Sequence, residues 1–299
     1  MGITVTADFV RALNATVRSV YDEAFASQAG VWRELATVMP STQSEEPYAW
    51  IGEIPTMREF LDERTIKALK EYGFTIRNKT WEATIGVKRE ALEDEQTGQL
   101  RARVMGLAEA ASAHYDELLF NLIASGGSAN CYDGTPFYGN SHPGGGDNLT
   151  DLPFSASALK TVLAAMQRQV TPSTGEPMNV RPSHLLVPPE LEFTALEVLN
   201  SALNPDSSGG QNRVNALHGR LKVVVSARLA SSSEWHVLDC THAVKPFIVQ
   251  QRVAAELSEL TENSESGFMR DEFLYGVRSR DNAGFGLWQY AYCSTGDAS

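Results

Sequence analysis

The chain has 299 residues, 42% hydrophobic and 21% charged, a usage that excludes a disordered or fibrous polymer and allows one large domain or two ordinary ones. Asp and Glu number 37 against 25 Lys and Arg, a formal charge of -12, which argues against a dedicated nucleic-acid binder. Cys131, Cys240 and Cys293 are an odd, widely spaced set and read as free thiols of a reducing compartment. No stretch approaches the roughly 18 apolar residues of a membrane span. The N-terminus lacks a basic segment followed by an apolar core, so no signal peptide is expected.

In chain order, the first helix is expected over 7–28, where Phe9, Leu13, Val17, Val20 and Ala24 recur at three- and four-residue spacing before Gly30. Its apolar stripe is narrow and needs a partner surface. Residues 48–54 look extended and end at Pro55; 58–72 then fits a short amphipathic helix with Phe60, Leu61, Ile66, Leu69 and Tyr72 apolar. Its polar face carries Arg58, Glu59, Asp62, Glu63, Lys67 and Lys70, with Glu63 and Lys67 in the favourable i, i+4 order. The bland reading is a solvated face; the sharper one is an ion-pair surface between subunits. Strand alternation returns over 74–87, through Phe74, Ile76 and Asn78 and then Trp81, Ala83, Ile85 and Val87. Two strands joined by a charged excursion make a protruding ribbon, marginal in water by itself and expected to lie on another molecule.

The longest helix is expected over 97–124, with Leu100, Val104, Leu107, Ala111, Leu118, Leu122 and Ile123 as its apolar face and Ser125-Gly126-Gly127 as its end. Residues 126–153 are loop-rich, and 156–170 fits a helix with Leu159, Val162, Leu163 and Met166 on one face. His184-Leu185-Leu186-Val187 reads as a buried strand, and Pro188-Pro189 opens a helix through about Leu199. Strands are expected at 221–225, 235–238 and 247–249, and the tail over 268–292 is again strand-like and aromatic. The whole is α+β.

Signatures of chemistry are mostly missing. There is no Gly-Lys dipeptide for a P-loop, Gly284-Phe285-Gly286 lacks the third glycine of a dinucleotide fingerprint, and no His-Glu-x-x-His or Gly-x-Ser-x-Gly occurs. Ser141, His142 and Asp147 are the nearest candidates for a serine hydrolase, but they sit in a Gly-rich stretch with poor preorganisation. His236, Cys240 and His242, with His218 or Cys131 as a fourth donor, could face a metal. Yet Cys240-x-His242 is tighter than structural zinc spacing, and positions 236, 240 and 242 share a strand face by period two alone, so packing is expected and no metal or cofactor. The acidic run Glu90, Glu93, Asp94 and Glu95 suits a helix N-terminus.

Several segments, in order, resemble the major head subunit of Mu-like phages and prophages. They are Trp50-Ile51-Gly52-Glu53-Ile54-Pro55 with Met57-Arg58-Glu59-Phe60; Asn78-Lys79 with Trp81-Glu82-Ala83-Thr84-Ile85; and Leu92-Glu93-Asp94-Glu95. Tyr132-Asp133-Gly134, His142-Pro143 and His184 to Pro189 follow, and Val244-Lys245-Pro246-Phe247-Ile248 and Gly284 to Trp288 close the series. The resemblance implies the tailed-phage capsid fold of the Hong Kong 97 type. Its parts would be an N-terminal arm (1–47), an extended loop (48–86), a peripheral domain (87–154) with its spine helix at 97–124, an axial domain (155–240), and a return through the peripheral domain (241–299).

It implies a structural protein rather than an enzyme, assembling as hexamers and pentamers into a virion capsid around DNA held without sequence-specific binding. The expected subunit-contact residues are Trp50, Phe60, Phe74 and Trp81, with the charged Arg58, Glu63 and Lys67. Met1 stands a few residues before the first helix and no sustained heptads appear, so a separate scaffolding protein is expected, along with a portal, and a decoration protein is a further candidate partner. Lys67, Lys70 and Lys79 lie on the loop, but no Asn acceptor or Glu catalyst for an isopeptide crosslink stands out. The alternatives are an encapsulin-like shell around a cargo enzyme and, more remotely, a soluble serine hydrolase.

Overall fold

The computed structural model describes residues 6–28, 30–48, 74–93, 97–171, 175–203, 214–260 and 269–297. Thr6 starts helix α1 (Ala7–Ser27) by accepting the Phe9 N–H at 3.3 Å, which satisfies one orphan donor of the helix start. A single-turn helix α2 (Trp32–Leu35) leads into strands β1 (Ala36–Pro40) and β2 (Glu45–Pro47). The chain comes back as β3 (Thr75–Arg77) and β4 (Lys79–Lys88), then a short α3 (Arg89–Glu93) and the long α4 (Thr97–Ser125). With 29 residues, α4 runs for about 43 Å.

The second half contains β5 (Leu149–Thr150), α5 (Ala156–Gln167), β6 (His184–Val187), α6 (Glu192–Asn200), β7 (Lys222–Val225) and β8 (Trp235–Leu238). Ser155 caps α5 by accepting the Ala158 N–H at 3.1 Å. Pro189 opens a single 3-10 turn before α6, as a ring-fixed φ suits a first turn. Two long strands, β9 (Phe247–Leu260) and β10 (Glu272–Phe285), and a short β11 (Ala291–Ser294) complete the chain.

One sheet has the order β1-β9-β10-β4, the other β5-β11-β8-β6-β7, and β2 and β3 form a separate two-stranded ladder. In the second sheet every residue of β8 and β11 is buried, which accounts for their unbroken rather than alternating apolar pattern. The core divides in two. The larger part joins the second sheet, α5, α6 and the C-terminal half of α4. The smaller joins α1, the N-terminal half of α4, and the outer ends of β4 and β10. Helix α4 belongs to both: Val104 and Leu119 on it are both fully enclosed.

Two expectations are corrected. The stripe on α1 does not wait for another molecule: Val10, Leu13, Val17, Val20 and Tyr21 are buried in the same cluster as Leu100, Val104, Leu107 and Ala108 of α4 and Phe273 and Tyr275 of β10. Polar ties reinforce the seat. Arg18 Nη2 donates to both carboxylate oxygens of Glu259 at 3.2 and 3.1 Å, and the Tyr275 hydroxyl donates to Asn14 Oδ1 at 3.1 Å. The second correction concerns β4, assigned above to a free ribbon. It pairs antiparallel with β10 along its whole length, from Glu272↔Lys88 to Asp281↔Lys79, so its hydrogen bonds are satisfied within the body.

A charge at Val17 should therefore unseat α1. Val17→Asp is expected to cost about 3 kcal/mol through buried-charge desolvation. Limited proteolysis should then cut at Arg18 while the larger core still melts cooperatively; an α1 as protected as in the parent chain would contradict this packing.

Candidate assembly site

The excursion between β2 and β3 has a well-defined root. Glu45, Glu46 and Pro47 pair antiparallel with Arg77, Ile76 and Thr75, and the Tyr48 N–H donates to the Phe74 carbonyl at 2.8 Å. Gln250, fully enclosed on β9, ties this ladder to the body. It accepts from the Tyr48 hydroxyl at 2.9 Å and donates to Ile76 O at 3.0 Å and Asn78 Oδ1 at 2.8 Å. Asn78 in turn donates to Ser41 Oγ and Gln43 O, both at 2.8 Å. Glu46 closes the set: the N–H groups of Thr42 and Gln43, and then the Ser41 hydroxyl, hold its carboxyl below the usual carboxylate range. At Gly284 there is no room for a side chain, because Ile76 of β3 lies directly over it.

Of the expected contact residues, Trp50, Arg58, Phe60, Glu63 and Lys67 lie outside the described residues. Phe74 is half-buried and packs on the larger core. Trp81 is half-buried too, with its ring centroid 4.7 Å from that of His114 on α4, its indole N–H 3.4 Å from Asp281 O, and the Lys79 ammonium 5.9 Å from its ring centre. His114 Nε2 also lies 3.0 Å from Asp281 Oδ1. Trp81 and His114 line a cleft of about 200 Å³ between α4 and the first sheet. Sequence spacing gave no sign of the Trp81–His114–Asp281 set, since its members come from three distant elements.

Large apolar side chains remain exposed on several elements. Phe193 on α6 is 75% exposed and Val214 85%, and beside the connection of β9 to β10 Leu260 is 55% and Met269 71% exposed. Single exposed apolar residues need no explanation; several of them on separate elements suit a subunit with neighbours.

The family model for the Mu-like prophage major head subunit gpT matches residues 10–158, 148–229 and 222–298. The chain belongs to the Mu-like prophage major head subunit family. It is 29% identical over 293 residues to the FluMu major head subunit of Haemophilus influenzae, covering 98% of this chain and 75% of that protein. It is 27% identical over 294 residues to the major capsid protein of Escherichia phage Mu, with the same coverage. Among solved structures it is similar to the procapsid of bacteriophage JBD30, with a TM-score of 0.62 and 29% identity, over 99% of this chain and 77% of that one. The chain is thus a major capsid protein of the Mu-like type, with the phage-capsid fold, and its place is the virion shell.

The head subunit does not assemble the hydrolase candidates. Ser141 and Asp147 are exposed, whereas His142 is buried, stacked 3.9 Å over Trp288, with Nδ1 2.8 Å from Asp133 Oδ2 and 2.9 Å from Thr135 Oγ1. Asp133 is the hub of this knot. Its Oδ1 accepts from Thr135 N–H at 3.0 Å, from Thr135 Oγ1 at 2.6 Å and from the Cys131 thiol at 3.1 Å. Nor does the head subunit gather the proposed metal donors: His218 is exposed, and His242 stacks on Tyr290 and sits 3.2 Å from Asp239 Oδ2. The Cys240 backbone N–H donates to Ser183 Oγ at 3.0 Å. His236 instead meets Glu234 and Cys293. The Glu-x-His alternation on one strand face was the available signal; the distant cysteine had none.

Burial alone would push the Asp133 carboxyl up, but the hydrogen bonds from His142, Thr135 and Cys131 outweigh it and hold it well below the usual range. A depressed carboxyl stabilises the fold fully above its unfolded value of about 3.9, and that stabilisation fades as pH falls through the folded value. Asp133→Asn should therefore cost about 2 kcal/mol near pH 7. The gap to the parent chain, read by urea unfolding, should be constant above pH 5 or so and shrink below about pH 4.

Proposed function

We propose that copies of this chain close into hexamers and pentamers of an icosahedral head that encloses double-stranded DNA. The observation that carries the reading is the family match, which runs through the whole body from residue 10 to residue 298. The exposed apolar residues Phe193, Val214, Leu260 and Met269 support it, because heterologous contacts between identical subunits bury such surfaces and close into rings when the rotation allows.

In this reading residues 155–240 form the axial domain at the capsomer centre, and residues 87–154 with 241–299 form the peripheral domain. Residues 48–86 form the extended loop, rooted at Gln250 and reaching a neighbouring subunit through Trp50, Arg58, Phe60, Glu63 and Lys67, with Phe74 and Trp81 at its base. Residues 1–47 form the arm, with α1 seated on its own body. The excess of acidic side chains suits a wall that must not hold DNA tightly during packing and release. A scaffolding protein, a portal and a decoration protein are the expected partners, and the chain itself performs no catalytic step.

Replacing residues 58–72 by a short Gly-Ser linker tests the role of the loop. The variant should keep the cooperative melting of the parent chain yet form no closed shells by electron microscopy when co-expressed with its scaffold. Normal shells from the variant would contradict the assignment, and parent shells that form without scaffold around a co-purifying enzyme would favour the cargo-compartment reading.

A further inference from the structure

We propose that Glu234, His236 and Cys293 hold one divalent cation of the zinc class, which staples β8 to β11 inside the second sheet. Their donor atoms all lie within 4.8 Å of one another. His236 and Cys293 are direct cross-strand partners in the β8–β11 register, and Glu234 stands just before β8, two residues ahead of His236. Two of the three donors are therefore held by strands of a sheet, and the third by the residue that leads into one of them.

The state of His236 points to a ligand. Its side chain is fully enclosed, and Nδ1 makes no hydrogen bond among the described residues. Nε2 faces Glu234 Oε1 at 2.9 Å, an ion-pair contact that already draws these two donors together. Buried ring nitrogens are normally hydrogen-bonded, so the Nδ1 of this imidazole is left unmet. Cys293 Sγ stands 3.8 Å from the same carboxylate oxygen. Donors about 2.0–2.3 Å from a tetrahedral metal are roughly 3.3–3.8 Å apart, so small shifts bring these three into range.

A fourth group faces the same space. The Tyr138 hydroxyl is buried without a hydrogen-bond partner, and its ring centroid lies 5.3 Å from that of His236.

The donor set selects the ion. One thiolate, one imidazole and one carboxylate suit zinc and exclude calcium and magnesium, which take oxygen ligands. Charge balances as well: carboxylate and thiolate together carry two negative charges, a divalent ion cancels them, and the site stays neutral where a bare charge is costly. Binding releases the Cys293 thiol proton to solvent, and no oxidant or reductant is involved.

The other Cys–Asp–His group is more fully committed: Asp133 accepts from Thr135 and Cys131, and His142 Nδ1 is paired with it, leaving only His142 Nε2 without a partner among the described residues. The two groups thus serve as each other's controls.

Cobalt is the probe. The purified chain, stripped with chelator and titrated with cobalt, should take up one ion per chain and develop the near-ultraviolet charge-transfer band of a thiolate–cobalt bond. Zinc should displace it and raise the melting temperature. Cys293→Ser should lose the band and the zinc-induced shift, whereas Cys131→Ser and Cys240→Ser should keep both. Glu234→Gln, nearly isosteric and at a partly exposed position, should weaken binding while leaving the circular dichroism of the parent chain. No thiolate band in the parent chain, a band that survives Cys293→Ser, or one that follows Cys131 would overturn the proposal.

Discussion

The contact on which the rest of the structure depends is the burial of helix α4 along both of its halves. Its N-terminal half meets α1 and the outer ends of β4 and β10, and its C-terminal half meets the second sheet. Each fully buried aliphatic side chain contributes about 1.5–3 kcal/mol before ordering is counted, and α4 places Leu100, Val104, Leu107, Leu119 and Ile123 in that position. One continuous helix carries both clusters and so fixes their placement against each other, while the larger cluster keeps packing of its own that does not involve α1.

Polar side chains are used at the points where elements of distant sequence must be fixed against each other. Gln250 holds the root of the excursion, Asp133 organises the loop after α4, and Asp281 meets His114 where the first sheet crosses the helix. Buried polar groups in such positions contribute modestly to net stability, but leaving one unpaired is costly, so they fix geometry more than they add strength.

Elements with one wet face and three- to four-residue spacing were legible in the sequence: α1, α4 and α5 have close to the expected limits. Short buried strands such as His184–Val187 and Trp235–Leu238 were legible as apolar runs. Strand β9 was legible only over its first residues, because the buried Gln250 is polar and beyond it the strand is largely half-exposed and carries Glu256 and Glu259, which erase the apolar signal. The home of β4 in a sheet was hidden, since its partner β10 lies near the other end of the chain and pairing across that distance leaves no local trace. The same holds for the site residues. His142 was visible as a candidate, but its partner proved to be Asp133 rather than a serine. His236 was visible, but Glu234 and Cys293 join it only through the fold.

Electron cryo-microscopy of shells assembled from this chain tests the account most directly. The account predicts five- and six-membered rings in which every copy keeps Ala7–Ser27 on its own long helix, with neighbours joined through the exposed apolar residues and the excursion. A first helix seated on a neighbour's spine, or a closed particle that leaves the excursion and those apolar residues free of contacts, would contradict it.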